Sequence, residues 1–340
     1  MTPGDRSVRV GDVLLPGGLF LAPVAGYSDA AFRSVCVSFG ADLCYTEMVS
    51  SEALTRGHTK TGVLLARAEN EVRFAVQLFG ADPSVLARAT ALVAPLGPVL
   101  IDLNCGCPVP KIVRTGAGSA LGRNPGRIRD LVRAMRDACD VPVTVKIRTG
   151  WDDGSINYRE QAAAAVEGGA AAVTLHARTR AQGYSGEAAW DTIALLVREL
   201  PVPVFGSGDV FSHRDVTEML GRTGCAGVMI ARGAIGNPFV FAEARAVLEG
   251  RAIPEFDGRM RAGTALRHLD LSIRFMGGRT ACVEFRKQYC AYTKGVPGGA
   301  GLRARAVQAS TREDYLPLFE AWADLDFGRR PAGGHDPVGD

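Results

Sequence analysis

Long hydrophobic runs are missing from this 340-residue sequence. No apolar stretch reaches the roughly 18 residues that a membrane-spanning helix needs, which argues against a transmembrane protein. Asp5, Arg6 and Arg9 precede any apolar stretch, so we expect no secretory signal. With 47% hydrophobic and 22% charged residues the chain can still bury a sizeable core, and this composition excludes wholesale disorder.

The cysteines lack the spacing of a metal site or of a disulfide framework. All eight are scattered irregularly, and the close pair Cys105 and Cys107 has no second Cys or His pair at a matching ligand spacing. We therefore expect no metal, and a disulfide between residues two apart would be strained. Scattered cysteines in a chain without a signal predict reduced thiols in a cytoplasmic protein.

Short apolar runs alternate with helical patterns through the first two-thirds of the chain. The predicted strands are residues 19–23, 43–46, 72–78, 99–104, 143–147, 172–176, 202–205 and 227–231. Eight such units in about 230 residues predict an α/β fold with a parallel sheet, best matched by a (β/α)8 TIM barrel. An open, doubly wound sheet is the alternative, although the G-x-G-x-x-G expected after its first strand is missing.

The pattern changes after about Phe241, where predicted helices follow one another without strands. These helices are residues 258–276, 282–294 and 302–325. We expect a barrel over residues 1–245, a small C-terminal helical domain over 246–327 and a disordered tail over 328–340.

Polar residues occupy one face of several predicted strands. The apolar residues of strand 143–147 are odd-numbered, so Lys146 and Arg148 should point into the barrel. The same parity directs further polar side chains inward: Gln77, Asp102, Asn104 and His176. A single inward polar residue is most simply a hydrogen-bonded core residue. Several at the carboxyl ends of barrel strands predict an active site there.

Glycine-rich loops follow the last two predicted strands. Loop 206–209 and loop 231–233 stand where TIM barrels commonly bind phosphate, and Arg232 adds a fixed positive charge. A helix expected to begin near Ala234 would direct backbone N–H groups at an anion. We infer a phosphate-anchored cofactor over the barrel mouth.

Cys107 is a candidate proton donor. A thiol near its usual pKa stays protonated at neutral pH, and at the rim of a site it can act as a general acid. The alternative, a small buried cysteine in a tight turn, suits Cys105 better than Cys107.

Ordered motifs give the chain a resemblance to a known family. They are residues 21–29, 47–48, 77–80, Asn-Cys-Gly-Cys-Pro at 104–108, 146–151, 176–180, Tyr184, Gly186, Trp190, 285–287 and 292–295. Over residues 19–318 the chain resembles the FMN-dependent tRNA-dihydrouridine synthases, most closely the bacterial B-type branch.

The resemblance implies a reaction and a set of residues. NADPH would reduce bound FMN, hydride would pass to C6 of a tRNA uracil, and Cys107 would give a proton to C5. The implied FMN contacts are Pro23, Val24, Ala25, Gln77, Lys146 and His176, with phosphate contacts at Ser207, Gly208, Asp209, Ala231 and Arg232. Ser207 stands where the family commonly has Asn, and Ala231 where it has Gly, so their side-chain roles are open.

The charge distribution points to an anionic partner. Between Gly258 and Arg312 lie eleven basic and two acidic residues, a net charge of +9; the chain totals +3, so the remainder carries −6. Such an imbalance favours nucleic acid over a merely solvated helix face. The expected tRNA contacts are Arg148, Arg178, Arg286, Lys287, Tyr292 and Lys294; Tyr289 and Tyr292 would either stack on bases or simply pack.

Two other functions remain open from the sequence. One is an FMN barrel that reduces a small molecule, for which the basic helical region would have no purpose. The other is an RNA-binding protein without catalysis, which the presence of Cys107, Lys146 and His176 together disfavours. The sequence leaves the oligomeric state open and favours a monomer.

Overall fold

The computed structural model describes residues 7–325, apart from the side chains of Thr59 and Lys60. Its strands are β1 (Val8–Val10), β2 (Val13–Leu15), β3 (Leu19–Leu21), β4 (Leu43–Tyr45), β5 (Val49–Ser50), β6 (Phe74–Phe79), β7 (Leu100–Asn104), β8 (Val143–Arg148), β9 (Ala172–His176), β10 (Val204–Ser207) and β11 (Gly227–Ile230). Its α-helices are α1 (Ala30–Ser38), α2 (Ser51–Thr55), α3 (Thr59–Leu64), α4 (Pro83–Val93), α5 (Pro110–Val113), α6 (Pro125–Arg136), α7 (Tyr158–Gly168), α8 (Asp191–Glu199), α9 (His213–Thr223), α10 (Phe239–Leu248), α11 (Gly258–Met276), α12 (Gly278–Tyr292), α13 (Gly299–Ala306) and α14 (Arg312–Ala323). Three short 3-10 helices cover Ala94–Leu96, Gly118–Arg123 and Arg232–Ala234.

Eight parallel strands close into a barrel. Strand β3 pairs with both β4 and β11, β4 pairs with β6, and β6 to β11 pair in chain order. All eight predicted strands are present, so the predicted TIM barrel is confirmed. Parallel pairing brings the carboxyl ends of these strands to one rim, where the loops that follow them meet.

A small hairpin closes the opposite end of the barrel. Strands β1 and β2 pair antiparallel, and Val10 and Leu15 are fully buried. They belong to the same apolar cluster as the interior residues Phe20, Leu43 and Phe205. The sequence analysis missed this hairpin, which is only two three-residue strands. With apolar packing at this end, polar groups of the interior collect at the other rim.

The C-terminal helices form a second hydrophobic core. It contains Phe285, Tyr289, Tyr315 and Trp322, whereas the barrel core extends along the chain to α10. The predicted boundary at residue 245 therefore falls inside α10. The predicted tail, 328–340, lies outside the described residues. Within residues 7–325, no helix combines the length and the apolarity that crossing a bilayer requires.

The helical domain packs directly on the barrel. The ring of His268 stacks on Phe32 of α1, with centroids 5.4 Å apart. Gly236, which follows β11, lies against the backbone of α12: a methyl group added to its Cα would overlap the carbonyl of Ala291 and lie 2.5 Å from the nitrogen of Tyr292. Its φ of +67° is a second reason for glycine here. This contact joins the two domains backbone to backbone.

One helix prediction is wrong. The helix predicted over 302–325 is two helices, α13 and α14, because Thr311 and Asp314 form a reciprocal capping box that starts α14. The first barrel helix, α1, is capped by Asp29, whose side chain accepts from the Phe32 N–H. The hydroxyl of the preceding Ser28 accepts from the N–H of Val24, in the loop that follows β3.

Candidate active site

The polar residues predicted to point inward do so at the carboxyl end of the barrel. Hydrogen bonds between strands link their side chains: Gln77 Nε2 donates to Asp102 at 2.7 Å, and Asn104 Nδ2 donates to Gln77 Oε1 at 2.8 Å. Lys146 lies next to Asn104 in the ladder, and His176 next to Arg148. The strand parity therefore identified the groups at the bottom of the mouth.

Cys107 lies on a tight loop directly above these groups. Asn104 Oδ1 accepts from the backbone N–H of Cys107 at 2.9 Å and from that of Gly106 at 3.2 Å. On the other side, the Cys107 carbonyl accepts from the N–H of Ser119 at 3.0 Å. Gly118 has a φ of +61°, and a methyl group on it would lie 2.7 Å from that carbonyl. The loop is thus held at both ends with its thiol half-buried.

The surroundings of Cys107 keep its thiol protonated. Burial raises the pKa of Cys107 above its ordinary value, and the charges of Arg148 and Lys146 oppose this only in part. A thiol in this state is a poor nucleophile at neutral pH but a competent proton donor. Neighbouring Cys105 is fully buried, and its N–H donates to the Lys146 carbonyl, which fits the structural role expected for it.

Four basic side chains surround His176. Burial, followed by the charges of Lys146, Arg148, Arg178 and Arg232, lowers the pKa of His176 well below its usual value, so its imidazole is neutral. Burial, and then Arg148, also lowers the pKa of Lys146, to about 8. So many positive charges around one cavity make it a strong attractor for an anion.

Asp209 is the acid that faces this cluster. Its carboxylate accepts from Arg178 Nη2 at 2.6 Å and from Arg232 Nη2 at 3.2 Å. The negative charge of this carboxylate would repel a phosphate. Any phosphate contact by Asp209 therefore has to come from its backbone. Its φ of +53° marks an unusual turn of the loop after β10.

Gly208 brings this loop close to the histidine ring. A methyl group on Gly208 would lie 3.2 Å from His176 Cδ2 and 2.8 Å from the Ala188 methyl. The indole N–H of Trp190 donates to the Gly208 carbonyl at 2.9 Å and fixes the loop from behind. The helix expected near Ala234 is a single 3-10 turn, Arg232–Ala234. That turn is too short for a helix-dipole argument, so the phosphate hypothesis depends on backbone and Arg232.

The loop after β3 supplies the remaining predicted cofactor contacts. Pro23 and Val24 are half-buried and Ala25 is exposed at the rim. Glu47 accepts from the N–H of Gly26 and ties this loop to the one after β4. Ser207 ends β10 and Ala231 directly follows β11, so both stand at the same rim. The structure thus brings all the predicted cofactor-binding positions to one end of the barrel.

The predicted tRNA contacts divide into buried and accessible residues. Arg148 is buried, and its guanidinium donates to the carbonyls of Gly106, Thr179 and Gly183. Arg178 is buried in its pair with Asp209, and Tyr292 lies in the second core with its hydroxyl 3.3 Å from His268 Nδ1. These three side chains shape and brace the protein, so their burial argues against direct contact with RNA. Tyr289 is likewise packed in that core.

The accessible candidates lie on or beside α12. Lys287 is half-exposed, and its ammonium pairs with Glu284 at 2.6 Å and lies 5.6 Å from the centroid of the Tyr27 ring. Arg286 donates to the Ala309 carbonyl, and Lys294 is exposed just beyond the helix. Lys287 therefore lies where the helical domain meets the barrel mouth.

Some residues of the site were not assigned a role from the sequence. Asp102 and Asn104 were expected to point inward but had no function attached. Tyr184 is 57% exposed above the cavity, and the Arg232 guanidinium lies 4.6 Å from its ring centroid. The Tyr–x–Gly spacing of residues 184–186 was the signal that could have assigned Tyr184 to the site.

Comparisons with known proteins agree on one family. The family model described as dihydrouridine synthase (Dus) matches residues 20–325. A probable tRNA-dihydrouridine synthase of Treponema pallidum is 47% identical over 324 residues, covering 92% of this chain and 95% of the relative. The tRNA-dihydrouridine synthase B of Pseudomonas syringae pv. tomato is 36% identical over 299 residues, covering 88% and 89%.

Solved structures support the fold independently. Histamine dehydrogenase from Rhizobium sp. 4-9 superposes with a TM-score of 0.54 at 19% identity, over 79% of this chain and 51% of that one. The chain thus spans about half the length of the dehydrogenase. At this identity the likeness concerns the barrel fold alone.

Proposed function

Since this chain belongs to the dihydrouridine synthase family, we propose that it reduces a uridine of tRNA to 5,6-dihydrouridine. It is a flavin-dependent oxidoreductase, and we propose FMN as the bound flavin and NADPH as its reductant. The observation that carries the proposal is the position of Cys107, a protonated thiol at the mouth of a barrel whose interior presents Lys146 and His176. A reductase of this kind needs a hydride source and a proton donor at one cavity.

The residues at the rim suit a flavin with a terminal phosphate. His176 Nε2 and Arg178 Nη1 are buried without a hydrogen-bond partner among residues 7–325. Buried polar atoms of this kind normally have a partner, so both are available to a bound group. Arg232 and the backbone of 207–209 would hold the phosphate, and Gln77, Lys146 and the 23–25 loop the ring system. The flavin, when bound, supplies the hydride.

The chain's own residues perform the remaining tasks. Lys146 would place a positive charge where negative charge develops during hydride transfer. Neutral His176 offers a hydrogen bond without adding a fifth charge to the cavity. Cys107 would give its proton to C5 of the uracil as the hydride arrives at C6, and the side-chain oxygen Oδ1 of Asn104 holds the Cys107 loop in place. Arg148 braces the same loop through the Gly106 carbonyl.

The tRNA would lie across the barrel mouth and the helical domain. A uracil has to leave its stack to enter a cavity of this kind, and the protein must hold the flanking phosphates meanwhile. Lys287 stands beside the mouth, and Arg286 and Lys294 lie on or just beyond the same helix; these three are the proposed phosphate contacts. The proposed complex needs no contact from the buried Arg148, Arg178 or Tyr292.

The function is tested most directly in tRNA itself. We expect tRNA from cells that lack this protein to lose dihydrouridine at one or a few positions, and the purified protein to restore it with NADPH while releasing FMN on denaturation. Site-resolved mass spectrometry of tRNA identifies the positions. Unchanged dihydrouridine at every position, together with a colourless protein that FMN does not reconstitute, would refute the proposal.

Gly208→Ala is expected to weaken FMN binding at least ten-fold. The added methyl group would press on His176 and Ala188, and the φ of +117° is one that alanine rarely adopts. Flavin fluorescence titration of the apoprotein measures the dissociation constant. Gly221→Ala, at an open position in helix α9, is the matched control and should leave FMN affinity unchanged. Equal affinities in the two variants would remove loop 207–209 from the flavin site.

A further inference from the structure

Asp102 lies at the inner end of a line of hydrogen bonds that leads to Cys107. The carboxylate is completely buried and accepts from Thr144 Oγ1 at 2.6 Å and from Gln77 Nε2 at 2.7 Å. Gln77 Oε1 accepts from Asn104 Nδ2 at 2.8 Å, and Asn104 Oδ1 accepts from the Cys107 N–H at 2.9 Å. Two neighbouring strands, β6 and β7, thus join the barrel interior to the thiol loop, and Thr144 of β8 adds a second donor to Asp102.

The direction of every bond in this line follows from its inner end. An ionised carboxylate only accepts, so Gln77 must turn its NH2 group toward Asp102 and its oxygen toward Asn104. Asn104 must then donate to Gln77, which leaves its own oxygen for the loop. The backbone N–H groups of Gly106 and Cys107 need that same orientation. The Asp102 carboxylate at one end and the backbone N–H groups of the loop at the other therefore require the same orientation of the Gln77 and Asn104 side-chain amides.

The charged state of Asp102 is maintained at neutral pH. Burial raises the pKa of Asp102 to about 6, and the hydrogen bonds from Thr144 and Gln77 and the charge of Lys146 limit the rise. Asp102 does not reach the cavity surface, and hence cannot touch a substrate. Its influence on the reaction has to pass through the residues that it orients.

We propose that Asp102 is a positioning residue for Cys107: as the terminal acceptor of the line, it fixes the Gln77 and Asn104 amides and thereby the loop that carries the proton donor. This inference rests on the proposed function of Cys107. It adds a residue that contacts neither uracil nor flavin but controls the placement of the group that does.

Removal of the terminal acceptor tests the proposal. In Asp102→Leu and Asp102→Ala, we expect the Gln77 amide to lose its fixed orientation and the Cys107 loop to loosen. Alkylation of Cys107 by iodoacetamide, followed by peptide mass spectrometry without tRNA, should become at least five-fold faster. Cys139 and Cys290 are also half-buried and serve as internal controls, because general unfolding would accelerate all three.

Two further variants separate positioning from a structural role. Thr144→Val removes the other hydrogen bond of Asp102 in the same barrel layer but leaves Gln77 its acceptor, so Cys107 should react as in the wild type. Asp102→Asn retains an oxygen for Gln77 and can donate to the Thr144 hydroxyl, so it should restore slow alkylation. With FMN at saturating concentration, uridine reduction in the Ala variant should fall at least ten-fold while NADPH reduction of the bound flavin, which needs no proton from Cys107, stays within about two-fold.

The outcomes distinguish this inference from the proposed function. A folded, flavin-loaded Ala or Leu variant with wild-type alkylation of Cys107 would overturn the role of Asp102. Equally faster alkylation of Cys107, Cys139 and Cys290 in every variant that can be purified would also overturn the role of Asp102. Absence of uridine reduction in the wild-type protein would instead refute the proposed function and leave the alkylation result standing.

Discussion

Replacement of Cys107 by alanine is expected to slow uridine reduction about 1,000-fold while reduction of the flavin by NADPH stays within a factor of about two. A positioned general acid typically contributes 10²- to 10⁴-fold to a rate, and the thiol is the proposed proton donor at this mouth. Its half-buried site raises its pKa, so the proton is present at neutral pH. The first half of the reaction needs no proton from Cys107, which is why the two rates should separate.

Rapid-mixing experiments measure the two halves independently. Flavin absorbance reports the reduction of the flavin by NADPH. When tRNA is then added to the reduced enzyme, the same absorbance reports hydride transfer to uridine. Cys105→Ala is the matched control, two residues away on the same loop but fully buried, and should retain near wild-type transfer. If Cys107→Ala transferred hydride to tRNA within ten-fold of the wild-type rate, Cys107 would not be the acid.

The paired substitution Lys287→Glu and Lys294→Glu should weaken tRNA binding about 100-fold at low salt. Each reversal removes a cation from the proposed phosphate surface and adds a repelling charge, and affinity for nucleic acid depends steeply on such contacts. Lys287 lies beside Tyr27 at the barrel mouth, so its loss should be felt close to the entering uridine. The dependence of log affinity on log salt should become shallower.

A second charge reversal controls for net charge. Arg133→Glu and Arg198→Glu alter the protein's charge equally, but these residues are exposed on α6 and α8 of the barrel wall. Filter binding or fluorescence anisotropy at several salt concentrations compares the two pairs. Equal weakening by both pairs would mean that the attraction is diffuse, and unchanged affinity in the lysine pair would place the RNA elsewhere.

The barrel could be predicted because apolar residues recur periodically along its strands and helices. The alternation of strands and helices predicted a parallel sheet. The parity of apolar residues in strand 143–147 correctly predicted that Lys146 and Arg148 point inward. The family resemblance drawn from the motifs is confirmed by the family model and by relatives that cover nearly the whole chain. Periodicity does not report closure, which depends on the pairing of β3 with β11.

Contacts made at a distance in sequence were beyond prediction. A count of charges cannot separate Arg178, buried against Asp209, from the exposed Lys294. Nor can the spacing of tyrosines show that Tyr292 packs against His268 in the second core. The line from Asp102 to Cys107 passes from β7 to β6 and back to β7, so no local pattern indicates it. The proposed site residues themselves remain predictions for the experiments above.

The backbone contact at Gly236 sets the distance between the barrel and helix α12. At Gly236 the barrel meets the backbone of α12 with no side chain between them, in addition to the stacking of His268 on Phe32. Sliding α12 by one turn would move it about 5.4 Å, more than the roughly 3.4 Å between stacked nucleotides. A shift of that size would offer the cavity a neighbouring nucleotide. In the proposed tRNA complex, the distance between the barrel mouth and α12 would then help to determine which uridine enters the cavity.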